Sequence, residues 1–162
     1  MELFIKSHNL HSLMKSIIAA NKAYATDFNV TYKLLSDASD IMIIADEHRF
    51  TQVITNILSN AAKFSLPNSF VDIDVQTDRE FATISIQDYG KGIPLTFSDN
   101  IWNKFSQADA SSTKEKGGTG LGLAISKSLI EAMNGNIYFK SEEKKGTIFF
   151  ISIPRLQQQS TG

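Results

Sequence analysis

A chain of 162 residues with 42% hydrophobic and 20% charged residues has the balance of one soluble globular domain with a real core. A net charge of -1 excludes a global basic field for nucleic acid or an anionic membrane. The absence of cysteine excludes disulfides, thiolate catalysis and cysteine-based zinc sites, and suits a reducing compartment. No apolar run approaches the roughly 20 residues that span a bilayer, and "MELFIKSHNL" lacks the apolar stretch of a signal peptide.

In chain order, Leu10, Leu13, Met14, Ile17 and Ile18 follow 3/4 spacing and predict an amphipathic helix over about residues 8–21. "NVTYKLL" and "IMIIA" read as two short strands. Asp46 caps a longer helix with the apolar stripe Phe50, Val53, Ile54, Ile57, Leu58 and Ala61. "FVDIDVQT" and "FATISIQ" alternate around "DRE" and predict a hairpin. "DYGKGIP" is a turn, "LTFSDNIWNKFSQ" a weak helical piece, and "ADASSTKEKGG" a polar segment expected to be mobile. A glycine-led helix then stops at Asn134–Gly135, and "NIYFKS" and "TIFFISI" form a hairpin over "EEKKG". The order predicts an α+β fold: a two-layer α/β sandwich, with one mixed, mostly antiparallel sheet and helices on one face. One domain over 1–156 and a disordered tail over 157–162 complete the expected organisation.

Three stretches carry chemistry. "GGTGLGL" holds Gly117, Gly118, Gly120 and Gly122 at the mouth of a helix. It is neither a Rossmann fingerprint, since its third glycine comes one position early, nor a P-loop, since no lysine follows Gly122. Glycines that let backbone approach a ligand, next to unpaired N–H groups, favour a phosphate; a glycine-rich hinge reads equally well. "DYGKGI" places Asp88 at the end of an alternating strand, where its carboxylate could accept an amino N–H or simply close an Asp–Gly turn. "NILSNAAKF" puts Asn56 and Asn60 on one helix face with Lys63 three residues on. Amide oxygens suit a magnesium ion carried by phosphates, and lysine suits phosphate; two solvated asparagines are the plainer reading. Alone, Phe105 reads as core and Thr147 as an ordinary strand residue.

The ordered combination N-x-x-x-N-A-x-K-F, D-x-G-x-G-I, F-S-Q, G-G-T-G-L-G-L, G-T resembles the catalytic and ATP-binding domain of sensor histidine kinases, the hybrid and multi-domain ones in particular. The resemblance covers nearly the whole chain. It implies the Bergerat ATP-binding fold, shared with gyrase, a heat-shock chaperone and mismatch-repair ATPases. It implies that Asn60 coordinates magnesium with Asn56 assisting, that Lys63 touches phosphate, and that Phe64 packs beside the nucleotide. It further implies that Asp88 binds the adenine 6-amino group, directly or through water, in a pocket shaped by Gly90, Gly92 and Ile93. Phe105 would anchor a lid over Ala108–Lys116. Gly118, Thr119, Gly120, Leu121 and Gly122 would bend around the phosphates, with Leu121 and Leu123 packing the helix. Thr147 would lie by the adenine-side water network. One departure is visible: Asn103 stands where the family often has an acidic residue, which puts the lid's salt-bridge pattern in doubt.

The resemblance also shows what is missing. A phosphoacceptor histidine should be followed by an acidic residue, but His8, His11 and His48 are followed by Asn9, Ser12 and Arg49. His8 and His11, three apart in the expected first helix, read as surface residues and not as a metal pair. The chain thus reads as a catalytic domain separated from its dimerisation segment, with Met1 an artificial start. Its expected activity is ATP-dependent protein-histidine kinase: it binds ATP and Mg2+ and donates the γ-phosphoryl group to a histidine on that separate segment. A response regulator or receiver domain would follow indirectly. No nucleic-acid partner is expected, and the isolated domain should be a monomer. The expected location is cytoplasmic, in a parent kinase compatible with a membrane anchor. The alternative is a nucleotide-binding regulatory module without turnover.

Overall fold

The structure is a computed structural model that describes residues 2–93, 101–102 and 122–157. Seven strands and three helices are described: β1 (Ile5–Asn9), α1 (Leu10–Asp27), β2 (Val30–Leu34), β3 (Met42–Asp46), α2 (Glu47–Phe64), β4 (Ser69–Thr77), β5 (Phe81–Asp88), α3 (Gly122–Ala132), β6 (Asn136–Glu142) and β7 (Gly146–Pro154). Five strands form the main sheet in the order β2-β4-β5-β7-β6. Only β2 and β4 run parallel; the other neighbours are antiparallel. This is the mixed, mostly antiparallel sheet that the element order predicts.

Alternation explains the two layers. Val71 and Ile73 on β4, Ala82, Ile84 and Ile86 on β5, and Phe149, Ile151 and Ile153 on β7 are buried, while the residues between them are more exposed. Period-two patterning places each buried set on one face. That face meets the helices, with α2 in the middle touching both α1 and α3. The predicted α2 stripe is buried throughout, from Phe50 to Ala61. Asp46 caps α2 as expected: its Oδ1 accepts the Arg49 N–H at 3.0 Å. Its Oδ2 accepts the Phe4 N–H at 2.9 Å, so the chain entering β1 is tied to the helix start.

Four details differ from the sequence reading. β1 was not expected, because "IKSHN" has no apolar alternation; it pairs antiparallel with β3 in a separate two-stranded sheet. The strands read at "NVTYKLL" and "IMIIA" therefore enter different sheets. Alternation identifies a strand but not its neighbour. Helix α1 starts at Leu10, where Asn9 accepts the Ser12 N–H at 2.9 Å, and runs on to Asp27 past the end of its apolar stripe. His8 consequently lies on a strand and His11 on a helix, not on one helical face. At the end of α3 the left-handed residue is Asn134, with φ 63°, and the Gly135 N–H returns to the Ile130 carbonyl at 2.9 Å. The weak helical piece lies outside the described residues except for Ile101 and Trp102. The polar segment over 108–118, Asn103 and the tail beyond residue 157 also lie outside them.

Candidate functional site

The site is built where α2, the end of β5, the start of β7 and α3 converge. On β5 the buried series Ala82, Ile84, Ile86 continues into Asp88, which is only 6% exposed. A carboxylate thus occupies what the pleat makes a core position. Burial pushes its carboxyl up to about 6, against the opposing pull of the Gly90 and Thr147 backbone N–H groups. The Gly90 N–H donates to Asp88 Oδ1 at 2.9 Å. An ionised carboxylate offers about four lone-pair sites, so two backbone donors leave room for a ligand donor.

Gly90 explains how this turn reaches α2. A Cβ there would lie 2.0 Å from the Phe64 carbonyl oxygen, so only glycine lets the turn seat on the last turn of the helix. That seat brings Phe64 and Asp88 to one corner. The Lys63 and Lys91 ammonium groups stand 5.5 Å and 6.0 Å from the Phe64 ring centre, which puts two cations at this end of α2. Gly92 has φ 75° and passes the Glu142 carbonyl, closing the turn against the β6–β7 hairpin.

Helix α3 comes equally close on the other side. A Cβ on Gly122 would lie 2.6 Å from Asn56 Oδ1. The Asn56 Nδ2 donates to Ser126 Oγ at 3.1 Å, and Ser126 is buried. Asn56 therefore holds the first described turn of α3 against α2. Asn60 sits one turn further along the same face of α2.

Across the sheet, Asp88 pairs with Thr147, and Thr147 pairs with Ser141, so the three form one row over β5, β7 and β6. Thr147 is buried beside Asp88. Ser141 Oγ lies 2.8 Å from Thr147 Oγ1 and accepts the Ile93 N–H at 2.6 Å. Beyond this row, Trp102 packs on Phe139 and Phe149 at 5.9 Å and 6.0 Å between ring centres, with the Lys127 ammonium 5.2 Å from its ring.

Of the residues singled out from sequence, Asn56, Asn60, Lys63 and Phe64 share α2, while Asp88, Gly90, Gly92, Ile93 and Thr147 gather at the sheet end. Gly122 and the half-buried Leu123 lie on α3. Phe105, Gly118, Thr119, Gly120 and Leu121 lie outside the described residues. Sequence reasoning missed Ser126, Ser141, Lys91 and Trp102. Ser126 could have been found as the small polar residue four after Gly122, on the same helical face. Ser141 could have been found as the inward residue after Ile137 and Phe139 on β6.

Comparison with known proteins identifies the family and the fold. The family described as histidine kinase-, DNA gyrase B-, and HSP90-like ATPase matches residues 45–157. Sensor histidine kinase WalK of Bacillus subtilis (strain 168) is 38% identical over 122 residues, which is 74% of this chain and 20% of that protein. The chain therefore spans about a fifth of the length of this curated relative. The solved catalytic domain of histidine kinase ThkA, in a nucleotide-free form, superposes with a TM-score of 0.80 at 26% identity, covering 95% of this chain and 96% of that one. Full-length ShkA in complex with AMPPNP reaches 0.80 at 24% identity, covering 99% of this chain and 33% of that one, a likeness of fold.

Proposed function

This chain belongs to the histidine kinase-, DNA gyrase B- and HSP90-like ATPase family, and from that premise we propose that it binds Mg-ATP and donates the γ-phosphoryl group to a histidine on the dimerisation segment of a sensor histidine kinase. The observation that carries the reading is Asp88, a carboxylate in a core position with backbone donors on it and capacity to spare. Nothing in the packing of a sheet calls for a charge there. An adenine 6-amino group supplies the missing donor.

The chemistry of the surrounding residues fits a nucleotide. Asn60 offers an amide oxygen for a magnesium ion that keeps phosphate and water ligands. Asn56, whose amide nitrogen is engaged by Ser126, keeps an oxygen on the same face. Lys63 would supply a point charge to phosphate and Phe64 would pack beside the nucleoside. The glycine box around Gly118, Thr119, Gly120, Leu121 and Gly122 would cradle the phosphates, under a lid anchored by Phe105. When bound, magnesium would neutralise phosphate charge and hold the β- and γ-phosphates in one geometry.

Transfer to histidine needs little proton chemistry from this chain. An imidazole nitrogen attacks the γ-phosphorus, the bond to the β,γ-bridging oxygen breaks, ADP departs and the imidazole proton passes to solvent. Positioning and electrostatics supply the acceleration. Hydrolases of the same fold resemble this chain but carry a glutamate four residues before the metal asparagine. Here that position is Asn56, a neutral amide that cannot usefully accept a proton from water. The phosphoryl group is thereby kept for a nucleophile that needs no general base. A response regulator would receive it next.

Calorimetry with Mg-ATP and Mg-GTP tests the pocket. Guanine sets an oxygen where adenine sets an amino group, so two acceptors would face each other, a mismatch worth roughly 1–3 kcal/mol. We expect ATP to bind at least about fivefold more tightly, and Asp88→Ala to remove the preference. Equal affinity for the two nucleotides, or an Asp88→Ala variant that keeps the preference, would refute the assignment.

A further inference from the structure

The turn that carries Asp88 also carries a cation to which the proposed function gives no role. Lys91 lies between two glycines that seat the chain on its neighbours. A Cβ on Gly90 would lie 2.0 Å from the Phe64 carbonyl oxygen, and one on Gly92 would lie 2.2 Å from that of Glu142. Between them the Lys91 carbonyl accepts the Lys144 N–H at 2.6 Å. The backbone of Lys91 is thus clamped between the last turn of α2 and the β6–β7 hairpin, so its side chain starts from a fixed point. That side chain is exposed, and its ammonium lies 6.0 Å from the centre of the Phe64 ring. This is the outer limit of a cation–π contact, and an exposed contact is weak, so the ring alone does not account for a cation here. Nor does a carboxylate. Among the described residues no acidic group lies within ion-pair distance of Lys91, and the carboxylate of Glu142 is paired with Lys145 at 3.2 Å.

The Lys63 ammonium stands 5.5 Å from the same ring centre. The two cations reach Phe64 from different elements. Lys63 comes from α2, three residues after Asn60, and Lys91 comes from the turn, three residues after Asp88. In the proposed function the base lies at Asp88, the magnesium-bound phosphates lie at Asn60, and the nucleotide passes Phe64 between them. The phosphate nearest the base is the one attached to the ribose. We propose that Lys91 is a further binding residue of this site: it supplies positive charge to that α-phosphate, while Lys63 serves the phosphates nearer the metal. A lysine ammonium acts as a point charge on a flexible stem, so it needs no bidentate alignment to do this. The proposal rests on the reading that a nucleotide lies beside Phe64 with its base at Asp88.

The test compares adenosine with AMP, which differ by the α-phosphate alone, in NMR titrations of the whole chain that read weak affinities directly. In Lys91→Gln, AMP should bind about two- to fivefold more weakly and adenosine with unchanged affinity. The loss for AMP should shrink at high ionic strength, because an exposed charge is screened. Lys91→Arg, which keeps the charge, should retain the wild-type ratio of the two affinities. Two results overturn the proposal: an AMP affinity unchanged in Lys91→Gln, or adenosine and AMP weakened by the same factor, which is what a residue that merely holds the Asp88 turn would give. Mg-ATP separates the two levels. If the wild type binds Mg-ATP and Asp88→Ala weakens that binding, while Lys91→Gln leaves AMP affinity unchanged, only the role of Lys91 fails. If the wild type binds none of adenosine, AMP and Mg-ATP, the nucleotide reading itself fails, and the role of Lys91 with it.

Discussion

At the scale of single residues, the site is a place where stability is given up. Asp88 holds a carboxyl in a position that the pleat of β5 reserves for an apolar side chain. Its folded-state value of about 6 lies above the ordinary 3.8, so the fold binds its proton more tightly than the unfolded chain does. Stability from this group is therefore fully present below pH 4 and is lost as pH rises through 6. At roughly 1.4 kcal/mol per tenfold change in proton affinity, the ionised carboxylate costs the empty fold about 3 kcal/mol. Asp88→Asn keeps the oxygen that accepts the Gly90 N–H and removes the charge. Chemical denaturation should show this variant more stable than the wild type at pH 7.5, with the advantage shrinking toward pH 4, while ATP affinity falls. A variant less stable than the wild type at pH 7.5 would contradict this account of the burial. Asp46 has the opposite sign. The Phe4 N–H, then the Arg49 N–H, hold its carboxyl below the usual range, so it stabilises the fold above pH 4 and that support is lost as pH falls through its lowered value.

At the scale of elements, helix α2 organises the site, because it carries Asn56, Asn60, Lys63 and Phe64 and touches α1, α3 and β5. Its two ends are pinned. The Asp46 cap ties its start to Phe4, and the Gly90 turn seats on its last carbonyls. Asp46→Ala should cost about 1 kcal/mol or somewhat more in thermal unfolding, since it leaves two backbone donors without their acceptor. Gly90→Ala should cost about 1–3 kcal/mol and weaken ATP binding together, because a methyl group 2.0 Å from the Phe64 oxygen forces the Asp88 turn away from the helix. A Gly90→Ala protein with unchanged melting temperature and unchanged affinity would show that the seat is dispensable. Much of this was legible in the sequence. The α2 stripe, the β4–β5 and β6–β7 hairpins and Asp88 at a strand end all follow from local periodicity and from residue types with few conformational choices. β1 was not legible, because its five residues are held by pairing with β3 and not by an apolar pattern. The division of β2 and β3 between two sheets was hidden for the same reason. The positions of Ser126 and Ser141 on an inward face were legible, but their partners were not, because those arise from register and helix packing. Asn56 meets Ser126 across 70 positions of sequence and Ser141 meets Ile93 across 48, separations that no spacing rule spans.

At the scale of the whole molecule, the residues proposed to bind nucleotide gather where α2 meets the ends of β5 and β7. None of the three histidines is followed by an acidic residue. His8 is paired along β1 with Ile43, and His11 accepts the Ala38 N–H at 3.4 Å beside Asp37. His48 is exposed on the first turn of α2, at the end remote from Phe64. Among the described residues no helix is long and apolar enough to cross a membrane. In the proposed function the γ-phosphoryl group is kept from water and reserved for a histidine on another segment. General-base assistance typically contributes 10²–10⁴-fold, and Asn56 cannot provide it to water. Following γ-labelled ATP with magnesium over several hours, once with this chain alone and once with a histidine-bearing dimerisation segment of a sensor histidine kinase added, tests this. We expect the chain alone to bind nucleotide, release phosphate at a barely measurable rate and stay unlabelled, and the added segment to acquire alkali-stable, acid-labile phosphohistidine. Steady phosphate release near one per second by the chain alone, stable labelling of His8 or His11, or an added segment that stays unlabelled would contradict it.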